Sequence, residues 1–203
     1  SVVSAFCLAL ILVNLQLTTP INNLELTDSD VTKFSSHAEN IHVEVLQSLN
    51  STGSNKINSV FHSDGHTTAC GSFNGSIDSF NISATSDDDL FVFGIDGPNE
   101  WHLQITGIGD QSCSRVLILD SGYILISGYF SGSITFENDT TISEGYGAFL
   151  IIYDHVLGEI VSSHVSDGPG NDRFLGITEL SNGDIVAVGQ VSGILTNVTN
   201  SEH

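Results

Sequence analysis

His62, Asp64 and His66 flank a single Asp-Gly turn, a spacing that offers a divalent cation two imidazoles and a carboxylate. Two acidic stretches, Asp87-Asp88-Asp89 and Asp167-Gly168-Pro169-Gly170-Asn171-Asp172, supply the hard oxygen donors that Ca2+ takes. Trp101, the only tryptophan, is a candidate stacking platform for a sugar ring. Each of these has a plainer reading, and the plainer reading carries more weight. The residues that match His62 in the two later copies of this segment are Leu119 and Leu180, and those that match His66 are Tyr123 and Asp184, so the histidines read as packing or rim residues. Neither acidic stretch has the D-x-D-x-D-G spacing with a downstream Glu, which favours solvated turns and leaves Ca2+ a weak alternative. Trp101 aligns with Glu44 and Glu159 on outer strands and reads as a partly exposed packing residue. No G-x-S-x-G elbow is present, and the sequence assigns no catalytic or cofactor-binding residue.

What positions these groups is a repeat. A glycine triplet recurs with constant internal spacing: Gly65, Gly71, Gly75; Gly122, Gly128, Gly132; and Gly183, Gly189, Gly193. Each opens on a turn dipeptide (Asp64-Gly65, Ser121-Gly122, Asn182-Gly183) between two apolar runs, a tight β-hairpin signal, because Gly, Asn and Asp tolerate the positive φ such turns need. Gly71 and Gly128 are 57 positions apart and Gly128 and Gly189 are 61, the size of one four-stranded unit. Runs such as Val116-Leu117-Ile118-Leu119 and Phe149-Leu150-Ile151-Ile152 are apolar on both faces and β-branched, so both faces of each sheet must be covered. Four-stranded antiparallel blades stacked around an axis achieve this. The predicted fold is therefore all-β, a β-propeller forming an open arc of about three blades. A β-sandwich is the runner-up, but it leaves the recurring glycine spacing unexplained. The strand glycines Gly71, Gly128 and Gly189 predict bulges or close backbone approach.

The expected organisation is a hydrophobic N-terminal segment at 1–17, a polar linker at 18–36 and propeller repeats over 37–203. The repeats divide into a partial unit at 37–57, full units at 58–110 and 114–172, and a partial unit at 173–203. IHVEVLQSL at 41–49 aligns with the fourth strand of the first full unit. The first strand of each unit is expected innermost, with Val116, Ile118 and Ile177 mostly buried.

The chain of 203 residues carries 24 acidic and 4 basic side chains, a formal charge of −20. So little positive charge disfavours nucleic acid and anionic membranes as partners. Residues 2–13 read as the apolar core of a secretory signal peptide, too short for a spanning helix. The absence of methionine leads us to expect a piece of a longer chain. Of three cysteines, Cys7 falls in that segment, and Cys70 and Cys113 read as packed free thiols in preference to a bridge. Five N-x-S/T sequons begin at Asn50, Asn74, Asn81, Asn138 and Asn197, a number expected by chance in this composition.

The segment Gly128-Tyr129-Phe130-Ser131-Gly132, followed by ITFENDTTISEGYGAFLIIYD and then GPGNDRFLGITELSNGDIVAVGQ, resembles the bacterial β-propeller repeat of SBBP type. The resemblance covers about residues 37–200. Asp89-Leu90-Phe91-Val92 keeps the aspartate of the family's D-A-F-V run, whereas Gly147-Ala148-Phe149 lacks it, and the fourth-strand tryptophan occurs once, as Trp101. The resemblance implies an extracytoplasmic, multi-bladed protein whose shared motifs are structural. The functional expectation is a secreted or cell-surface binding or adhesion scaffold that is not an enzyme, acting on a protein or carbohydrate ligand. The alternatives are part of an extracellular propeller glycosidase or lyase, and a structural spacer.

Overall fold

Residues 6–15, 41–85, 87–136, 139–166 and 170–192 are described by the structure, a computed structural model. Gly193, the 18–36 stretch, Asp167 to Pro169 and the sequons at Asn138 and Asn197 lie outside the described residues.

Continuous apolar, β-branched runs build several strands of the sheets. The first full unit is an antiparallel sheet in the order β3-β4-β7-β8. Its strands are β3 (Asn55–Ser63), β4 (His66–Phe73), β7 (Asp89–Asp96) and β8 (Asn99–Ile105). The second is β9 (Gln111–Ile118), β10 (Ile124–Phe136), β11 (Asp139–Asp154) and β12 (Glu159–Ser166), paired in chain order. A third begins with the hairpin β13 (Arg173–Glu179) and β14 (Ile185–Gln190). The apolar N-terminal stretch forms β1 (Phe6–Leu15), antiparallel to β2 (Ile41–Ser51). A short hairpin, β5 (Ser76–Ile77) and β6 (Ile82–Ser83), extends that sheet from within the first full unit. The predicted all-β class and four-stranded antiparallel units are thus present.

The two-sided apolar pattern has the expected cause. Leu90 and Val92 of β7 enter a core shared with Val116, Ile124, Ile126, Phe149 and Ile151 of the second unit. Phe91 and Phe93, the alternate residues, enter a separate cluster with Ala69, Phe73 and Ile77. Both phenylalanines are buried, stabilising the sheet by about 1.5–3 kcal/mol each. Val116 is buried as expected, whereas Ile118 and Ile177 are only half-buried. Ile177 belongs to β13, whose two-stranded sheet has no third strand among the described residues.

The glycine triplet has a structural meaning. Gly71, Gly128 and Gly189 each sit beside a register shift in the partner strand, where Asn58, Ser114 and Leu175 are the extra residues of a β-bulge. A Cβ at these glycines would lie 1.7, 2.1 and 1.9 Å from the carbonyl oxygens of Lys56, Ser112 and Arg173. Between bulge and turn, each unit has the same short ladder: Ser59–Ser63 on His66–Cys70, Arg115–Leu119 on Tyr123–Ser127, and Gly176–Leu180 on Asp184–Val188. The turns differ. Asp64-Gly65 is a two-residue turn with both φ positive (51° and 83°), whereas Asp120–Gly122 and Ser181–Gly183 are three-residue turns with glycine in the left-handed position.

The expectation for the cysteines is also corrected. Cys70 and Cys113 form a disulfide, with Cα atoms 5.8 Å apart, in place of packed free thiols. The apolar run read as a strand begins at Val116, whereas β9 continues past the bulge back to Gln111 and carries Cys113 into the sheet, against β4 of the preceding unit.

Candidate functional site

Where the first and second full units meet, the hairpin turns leave a cleft of about 330 Å³. The β3–β4 turn brings Asp64 and His66 to its edge, the end of β7 brings Asp96 and β8 brings Trp101. Across from them, the β9–β10 turn contributes Asp120 and the turn after β11 contributes His155. His66 faces Asp96 as its cross-strand partner, and their Nδ1 and Oδ1 atoms are 3.0 Å apart. The Trp101 ring is 5.3 Å from that of His155 and 5.7 Å from that of Tyr153. Burial, and then the charge of Asp154, push the Tyr153 hydroxyl above its ordinary range.

The structure separates the histidines that the sequence sets around one turn. In a two-residue hairpin Ser63 pairs with His66 and His62 pairs with Thr67, so the two imidazoles leave opposite faces of the ribbon. His62 Nδ1 lies 2.8 Å from Thr67 Oγ1, and Asp64 accepts from Ser63 Oγ at 3.3 Å. Among the described residues no group of three or more His, Cys, Asp or Glu side chains is placed to hold a metal ion.

Within the acidic stretches, Asp88, Asp89 and Asp172 make structural contacts. Buried Asp89 accepts from the Thr85 amide at 3.0 Å and from Gln104 Nε2 at 2.8 Å. Burial nonetheless raises its carboxyl above the ordinary value, against the pull of these donors. Asp88 is raised too, first by burial and then by the charge of Asp110. Its backbone joins the units, the amide facing Asp110 Oδ1 at 3.4 Å and the carbonyl accepting from the Gln111 amide at 2.7 Å. Asp172 is buried and accepts from the Ser192 amide and from Ser166 Oγ.

A second concavity, about 550 Å³, is bordered by the first strands β3, β9 and β13, with Val60, Arg115, Leu117 and Ile177 on its walls. Asn58 Nδ2 donates to the Cys113 carbonyl at 2.7 Å, and the Asp120 amide donates to Glu179 Oε2 at 2.7 Å, linking one unit to the next along this groove. Between the second and third units, the Arg173 guanidinium sits 4.4 and 4.5 Å from the ring centroids of Tyr129 and Tyr146.

Sequence reasoning singles out His66 and Trp101 but not Asp96, Asp120 or His155, which only the stacking of two units brings together. A usable signal was the departure of His66 and Trp101 from their repeat counterparts. The strand registers also revise one counterpart: Trp101 faces Gly94, and the matching pair in the second unit is Ser162 with Ile152, not Glu159.

The chain matches no protein-family model, and no curated protein matches it. Among the described residues no helix is long and apolar enough to cross a membrane.

Proposed function

We propose that the chain is a non-catalytic binding scaffold of the β-propeller kind, related to the SBBP-type repeats and working outside the cytoplasm at the cell surface or in secreted form. The observation that carries this reading is the groove bordered by the first strands of three successive units, the arrangement expected where blades are set around an axis. The shared bulge glycines support it, because each unit is built on one plan. The disulfide supports an oxidising compartment. A cleft framed by turns favours binding over a spacer role, since rigid sheets presenting side chains on turns are a common way to hold a ligand.

The test is equilibrium binding with product analysis. The chain is incubated with panels of peptides and polysaccharides, and a ligand is expected to be retained and recovered chemically unchanged. Cleavage of a retained ligand, abolished by Asp96→Asn or Asp120→Asn, would overturn the non-catalytic reading in favour of a hydrolase or lyase.

A further inference from the structure

We infer that the cleft between the two full units receives the cationic side chain of a basic peptide, an arginine or lysine. The inference rests on the reading of this chain as a binding module and names its ligand class. Three carboxylates border the cleft, Asp64, Asp96 and Asp120, and no Lys or Arg is among its lining residues. Asp64 and Asp96 come from the first full unit and Asp120 from the second, so a cation in the cleft meets negative charge from both walls. His66 braces Asp96 from one side through the 3.0 Å contact.

The same cleft also has aromatic lining. Trp101 and His155 line the same cleft with their rings 5.3 Å apart, and a tryptophan face is the best of the aromatic surfaces for a guanidinium or ammonium. The size agrees, since about 330 Å³ lies at the small end of ligand pockets and suits one long side chain better than an oligosaccharide.

Trp101 packs on the rim of the shared core and against Tyr153, but the repeat plan does not call for a tryptophan there. Gly94 lets the Trp101 ring lie against the sheet, and the second unit has Ile152 and Ser162 at the matching pair. His66 likewise has Tyr123 and Asp184 for counterparts. These residues are therefore particular to this one cleft. The Cys70–Cys113 bridge joins the two units that form the walls, so the cleft is held in shape before a ligand arrives.

Trp101 is the only tryptophan, so its emission reports on this cleft alone. The full chain is titrated with N-acetyl-argininamide, with its neutral isostere N-acetyl-citrullinamide and with cellobiose. The arginine probe is expected to give a saturable change that added salt weakens, and the citrulline probe to bind roughly tenfold more weakly or worse. Asp96→Asn and Asp120→Asn should each weaken the arginine probe by roughly tenfold. Asp120 is exposed on a turn, so its variant should keep the parent melting temperature. Equal binding of the arginine and citrulline probes, tighter binding of cellobiose, or no saturable change with any probe would overturn the cation receptor. Chemical conversion of a probe would instead overturn the binding-module reading beneath it.

Discussion

Trp101 lies against Gly94, its cross-strand partner, so closely that a Cβ on the glycine would be 2.4 Å from the indole nitrogen and 2.3 Å from ring carbon Cε2. The tryptophan is seated where it is because its neighbour has no side chain. Gly94→Ala should therefore push the ring toward the cleft, at a cost of about 1–3 kcal/mol from overpacking. Thermal melting gives the stability loss, and a shifted Trp101 emission maximum gives the displacement. Unchanged emission would show that the ring is not held by this contact.

The triplet glycines should not be equivalent under substitution. A methyl at Gly71 would run into the Lys56 carbonyl, whereas at Gly65 nothing lies within 4 Å and only the positive φ of 83° opposes it. Gly71→Ala should cost about 3 kcal/mol and Gly65→Ala about 1 kcal/mol, read from denaturant midpoints. The reverse order would mean that the bulge, and not the turn, can relax.

Reduction of the Cys70–Cys113 bridge, or Cys70→Ser with Cys113→Ser, should lower stability by about 2–4 kcal/mol, because a loop of 43 residues is freed in the unfolded chain. Alkylation in denaturant without reductant should modify Cys7 alone. Labelling of three cysteines would remove the bridge.

Asp88 and Asp89 set a pH dependence of definite sign. Both carboxyls are raised above 3.8 in the folded chain, so just above that pH the folded state holds more protons than the unfolded state. The stability they contribute is full below 3.8 and is lost as pH climbs through the raised values. Asp88→Asn should stabilise the protein at neutral pH and flatten this fall, with a residual slope from Asp89. Melting temperatures across the carboxylate range check it. A variant less stable at neutral pH would show that the carboxylate's hydrogen bond to Asn74 outweighs burial and the charge of Asp110.

Much of the fold was written in the glycines. Their spacing of six reflects the ladder between turn and bulge, which is the same in each unit, and the unbroken apolar runs at 116–119 and 149–152 foretold sheets apolar on both sides. Less local facts were not legible. Whether the first turn holds two or three residues changes which face His62 occupies, yet Asp-Gly and Ser-Gly read alike in a string of letters. The bridge depends on how one sheet stacks on the next, and Asp96, Asp120 and His155 share a cleft through the same stacking. Sequence carries such inter-unit contacts only as departures from the repeat.

The identical ladders also make the strands interchangeable. β3 finds in β10, as in β4, a second strand of the right length with a glycine opposite its bulge, so exchange between units or between chains would satisfy the same backbone groups. What opposes exchange is proximity: closing a turn of two or three residues, against one spanning about 57, saves roughly 2–3 kcal/mol of chain entropy. That advantage is fixed while the supply of foreign strands grows with concentration, so crowded refolding of this protein selects for entangled, strand-swapped assemblies that dilute refolding avoids.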